Sequence, residues 1–231
     1  MATDSAPYGT PDAPRLAVRG EAHLEVDPEI ARISVTVASR GKDRRTALDD
    51  LTRRNADALD LLKSYGDAVE HLETGSFSVT PELKEHGRGE RVHAYHGRVH
   101  ITAELTDFTA LGELTTRLAD LDLTGVDGPW WALRRDSPAY REARQQAVRD
   151  AVQRAKEYAE ALGTSLASLV ELADLGAEDP EPRFVGKASR ARSMAYEAAA
   201  DTSAAPLDLE PQRQHVHAQV NARFTMAPPT L

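Results

Sequence analysis

Apolar and polar residues alternate with period two through Leu16, Val18, Gly20, Ala22, Leu24 and Val26, with Arg19, Glu21, His23 and Glu25 between them. Such alternation predicts a half-buried strand. Asp27-Pro28-Glu29 punctuates the run as a turn, and Ile33, Val35 and Val37 continue in a second strand, so a first hairpin is expected here. The period then lengthens to that of a helix. Asp43 is placed to cap it, Ala47, Leu48, Leu51, Ala58, Leu62 and Tyr65 mark its inner face, and Gly66 closes it. Strand character returns over 69–79, a polar loop follows at 85–90, and Tyr95, Val99, Ile101, Ala103 and Leu105 alternate in the second arm of a longer hairpin.

A short helix with the stripe Phe108, Leu111, Leu114, Leu118 and Leu121 follows, with Asp107 as its cap. The segment 126–133 predicts a strand carrying Trp130 and Trp131. Neighbouring side chains on a strand point to opposite faces, so at most one of the two can stack on a ligand. Ser137-Pro138 opens a long third helix, a capping hydroxyl followed by proline at the first helical position. It runs to Leu162, with Tyr140, Ala147, Ala151, Tyr158 and Leu162 inward and Gly163 as its stop. A short strand at 169–172 and a cleanly alternating one from Val216 to Met226 complete the series. The expected fold is α+β: a mostly antiparallel sheet of two hairpins plus further strands, with three helices packed on it. Residues 15–227 form the domain, 1–14 a flexible N-terminal tail and 228–231 a C-terminal tail. Within the domain, 176–211 is a long loop or arm without sustained period.

Several segments, taken in order, resemble the SIMPL-domain (YggE-like) family. Val18-Arg19-Gly20-Glu21-Ala22 is similar to its Val-x-Gly-x-Gly opening, with Ala22 in place of the second glycine, and Asp27-Pro28-Glu29-Ile30-Ala31 to its turn. Asn55-Ala56 matches the first helix, and the segment from Thr74 to Pro81 resembles the Thr-x-x-Ser-Val-x-Pro strand. Ala94-Tyr95-His96-Gly97 departs from Gly-Tyr-x-Ala at both small positions. The third helix matches best, through Glu142-Ala143-Arg144, Ala147-Val148, Asp150-Ala151, Ala155-Lys156 and Leu162-Gly163. The resemblance covers roughly Leu16 to Met226. It implies a bacterial protein that forms homo-oligomers, sometimes channel-like, is associated with oxidative-stress tolerance and has no accepted catalytic residue set. Members are usually exported.

Charge and composition narrow the chemistry. The 231-residue chain carries a formal net charge of −9, so no general electrostatic attraction draws it to nucleic acid or anionic lipid. The absence of cysteine removes thiolate nucleophiles, disulfides and Cys-ligated metals. No stretch approaches the roughly 20 apolar residues that cross a bilayer. Met1 to Pro14 lacks a basic start and an apolar run, so a cytoplasmic location is expected. Among candidate ligands, His96 and His100 lie roughly 13 Å apart along one strand, too far to share an ion. His215 and His217, roughly 7 Å apart, are the weak metal candidates. Gly186-Lys187-Ala188-Ser189 lacks the first glycine of a phosphate loop, since Glu181 stands at that position. No catalytic or cofactor-binding residues are assigned and no cofactor is expected. The expected function is non-enzymatic self-assembly as a structural or stress-response-associated scaffold. Phe184, Val185, Met194, Tyr196 and Leu207 in the arm are the oligomer-interface candidates, because a purely solvated linker tends to avoid such residues. The alternatives are a small-molecule or metal-binding module on the His-bearing sheet face, or an adaptor for an unidentified protein.

Overall fold

The computed structural model describes residues 9–86, 89–174 and 207–230. The chain divides into two compact units, 27–134 with 199–214, and 1–26 with 135–198 and 215–231. The first of these is built on a four-stranded sheet. Its strands are β2 (Ile30–Gly41), β3 (Val69–His86), β4 (Gly89–Leu105) and β5 (Thr124–Ala132), in the order β3-β4-β2-β5. Its helices are α1 (Arg44–Lys63) and α2 (Phe108–Ala119). The second unit has the sheet β1-β7-β6 and helix α3. Here β1 is Arg15–Val26, α3 is Pro138–Ala161, β6 is Leu166–Asp174 and β7 is Gln214–Met226. The α+β class holds, as two antiparallel sheets with three helices.

The first expected hairpin does not form. Strand β2 pairs antiparallel with β4 from Ala31↔Leu105 to Gly41↔Tyr95 on one edge and with β5 on the other, so both its ladders are filled. Strand β1 joins β7 instead, and Asp27-Pro28-Glu29 carries the chain from one sheet to the other. A turn between two alternating runs reads the same whether the strands pair or part. The second hairpin does form, and its strands extend into the segment expected as a polar loop, with Glu85↔Glu90 and His86↔Gly89 in register.

In the four-stranded unit Ile33, Val35 and Val37 of β2 and Val99, Ile101, Ala103 and Leu105 of β4 turn one face toward the helices. Leu51, Ala58 and Leu62 of α1 and Leu111, Leu114 and Leu118 of α2 close that core. The caps are those the sequence predicts. Asp43 accepts from the Thr46 N–H at 2.9 Å, and Asp107 from the N–H groups of Thr109 and Ala110. The ends of 27–134 are tied together: the Glu29 N–H donates to the Ala132 carbonyl at 3.0 Å, and the Arg134 N–H to the Glu29 carboxylate at 2.9 Å.

The three-stranded unit depends on close approach. Ala143, Ala147, Ala151, Ala155 and Ala159, spaced by four, form the buried stripe of α3, and Ser137 caps the helix through the Ala139 N–H. A Cβ on Gly20 of β1 would lie 2.0 Å from the Ala147 carbonyl oxygen and 2.6 Å from the Ala151 nitrogen. Helix and strand therefore touch backbone to backbone. This displaces three expected core residues: Tyr140, Tyr158 and Leu162 are exposed, because a stripe of methyl groups already fills the contact. Gly20→Val and Ala151→Asp should each lower stability by about 2 kcal/mol or more, the first by overpacking and the second by burying a charge. Chemical denaturation measures this, and parental stability in both variants would show that α3 does not seat on β1.

Candidate functional site

The outward faces of β1 and β7 carry the most chemistry. Alternation leaves Arg19 and His23 of β1 and His215, His217, Asn221 and Arg223 of β7 exposed. The Met226 N–H donates to the Pro14 carbonyl, and His23 meets His217 nine residues farther along each strand, as an antiparallel ladder requires. An open cleft of about 540 Å³ lies on this sheet, lined by Arg19 and Glu21 of β1, Arg154 of α3, Glu171 of β6, and Asn221 and Arg223 of β7. Two of the three arginines have acidic partners: Arg223 pairs with Glu171, and Arg154 with Asp150 at 2.9 Å. Asp150 also accepts from the Glu21 N–H at 2.8 Å and so ties α3 to the edge of β1. No hydroxyl, thiol or imidazole lines this cleft among the described residues. The carboxylates of Glu21 and Glu171 are the groups of this lining that can take or hold a proton.

The histidines separate into unrelated neighbourhoods. His96 contacts Glu82 at 2.7 Å, and Arg40 reaches the same carboxylate at 2.9 Å. His96 first and Arg40 second hold the Glu82 carboxyl below the usual glutamate range. His100 instead meets the Thr36 hydroxyl at 2.9 Å, so the two do not converge, as their spacing predicts. His217 does not pair along its own strand with His215. It crosses to His23, with the two Nδ1 atoms 2.5 Å apart and the rings edge to face. His23 escapes sequence reasoning because nothing local says that the first strand lies beside the last. The available signal was its outward phase, shared with His217. Among the described residues no three His, Asp or Glu side chains converge as a metal-holding group.

Trp131 packs edge to face on Phe108 at 4.8 Å between ring centroids, while Trp130 is exposed. Phe184, Val185, Met194, Tyr196 and Gly186-Lys187 lie outside the described residues. Leu207 is described: its side chain is exposed, its N–H donates to the Thr116 hydroxyl at 3.2 Å, and its carbonyl lies over Gly112 of α2, where a Cβ would come within 2.3 Å. Leu209, two residues on, packs against the helix-covered core.

Residues 16–224 match the profile of SIMPL, described as a protein of unknown function (DUF541). The chain belongs to the SIMPL family. Over 168 residues this SIMPL protein is 26% identical to the 26 kDa periplasmic immunogenic proteins of Brucella melitensis and Brucella abortus, covering 70% of this chain and 66% of theirs. Over 229 residues it is 21% identical to the uncharacterized protein YggE of Edwardsiella ictaluri, covering 98% of this chain and 93% of that one. The Brucella names overturn the expected cytoplasmic location. That expectation rested on the composition of the first 14 residues, which says less about compartment than relatives matched along the folded core. No helix among the described residues is long and apolar enough to cross a membrane.

The Glu82 cluster gives a measurable consequence. A depressed carboxyl pKa contributes stability above the unfolded value and loses it as pH falls through the folded one. Carboxyl NMR titration of Glu82 should therefore show a midpoint below that of ordinary glutamates, moving upward in His96→Ala. An unchanged midpoint in that variant would assign the shift to Arg40 alone.

Proposed function

We propose that this SIMPL protein is a non-catalytic homo-oligomer, a self-assembling scaffold associated with stress tolerance, working in the periplasm. The observation that carries the proposal is the edge of the three-stranded sheet. Among the described residues strand β6 has β7 on one side only, and Leu169, Val170 and Leu172 are 54%, 50% and 47% exposed. Edge strands usually carry charge, proline or cover that blocks further pairing. An apolar one favours association with another strand edge or apolar face. Leu169 stands opposite Phe224 and Leu172 opposite Ala222, both buried, so these edge residues continue a core face beyond the cover of α3. The charged lining of the cleft, with Arg223 paired to Glu171 and Arg154 to Asp150, supports a binding role. The periplasmic setting is supported by the names of the Brucella relatives.

Light scattering behind size-exclusion chromatography should give a defined multimer for the full chain. Leu169→Lys with Leu172→Lys should shift it to smaller species while circular dichroism stays unchanged, since charge on an edge opposes pairing. A monomeric parent chain would overturn the proposal. A double variant of parental mass would remove β6 from the interface.

Absence of catalysis is open to its own test. Purified protein should show no turnover of ester, phosphate or peroxide substrates above buffer. A rate abolished by a single substitution in the cleft, such as Arg19→Ala, would overturn it.

A further inference from the structure

We propose that His23 and His217 together chelate one divalent transition-metal ion of the zinc, nickel or copper(II) class. The two residues come from opposite ends of the chain and meet on neighbouring strands of one rigid sheet. Both side chains are exposed on the outward face, so an ion and its waters can reach them. Their Nδ1 atoms face each other 2.5 Å apart. That separation is shorter than the ordinary range for a nitrogen donor and its acceptor.

A modest opening of the contact makes room for an ion between the two nitrogens. Imidazole nitrogens bind zinc at about 2.0–2.1 Å, so two ligands on a tetrahedral ion stand about 3.3 Å apart. The pair needs to open by less than about 1 Å, which small rotations about the side-chain torsions supply without moving either strand. Binding uses both Nδ1 lone pairs, and the ring that carried a proton there holds it on Nε2 instead. Neutral imidazoles suit zinc, nickel and copper, whereas magnesium and calcium prefer oxygen donors, which sets the class of ion.

No third His, Asp or Glu side chain joins the pair among the described residues. The site is therefore a two-donor chelate whose remaining positions take water or a group from another molecule. It differs from a closed four-ligand structural centre, and its ion is exchangeable.

The test uses the full chain without added histidines. Equilibrium dialysis against zinc chloride, with metal measured per chain, should give one site. His23→Ala and His217→Ala should each weaken it about tenfold or more, since a chelate loses its second ligand. His215→Ala, two residues along the same face, should bind as the parent does. Long-range proton–nitrogen spectra of the imidazoles should show His23 and His217 responding together and saturating at one equivalent of zinc. Parental affinity in both single variants, or a response confined to other imidazoles, would overturn the proposal. The replaced side chains are exposed, and circular dichroism verifies that each variant is folded.

Discussion

Strand β7 stands in the middle of its sheet, and its two ladders are the condition for everything else in that unit. One ladder holds β6, and the other holds β1 from the far end of the chain. Only when both exist do Val220, Ala222 and Phe224 share a face with Ala22 for α3 to cover. The His23–His217 contact is laid out by the same pairing on the opposite face, and the cleft gathers residues of β1, β7, β6 and α3 around it. Closing so long a loop costs entropy before any contact rewards it, though the cost grows only slowly with length. The alanine stripe against Gly20 offsets part of that cost by letting helix and strand approach more closely than side chains would ordinarily allow.

The four-stranded unit is organised differently. Its central ladder joins β2 to β4, and its helices each follow a strand with which they share the core. Most of its pairings are closer in sequence than the pairing of β1 with β7. Its Arg40–Glu82–His96 cluster sits on exposed sheet surface, while Arg53, Arg54, Asp57 and Asp122 line a small polar pocket of about 210 Å³.

What the sequence made legible follows from this division. Caps at Asp43, Asp107 and Ser137, the period of every strand, and the burial of Ala147 and Ala151 are local properties, and local pattern predicts them. Whether β1 pairs with β2 or leaves it depends on which edges are already occupied, and alternation carries no information about edges. Tyr140 and Tyr158 were misplaced because helical spacing fixes a stripe but not its width. A stripe of alanines, once recognised as a close-contact surface, excludes rings from its centre. The histidine contact was legible in half: the phase of His217 was correct, and its partner was a matter of topology. The apolar character of β6 was visible as well, but its exposure depends on where α3 stops covering the sheet.

The tie between Glu29 and the end of β5 has a wider implication. Because the beginning and the end of 27–134 are hydrogen-bonded to each other, that whole stretch leaves and re-enters the remainder of the chain at nearly one point. It is arranged as a guest domain nested within a host. For the link between Val26 and Arg135 the stretch 27–134 therefore acts as a short tether, whatever its length, while Leu207 and Leu209 return to the same unit from later in the chain.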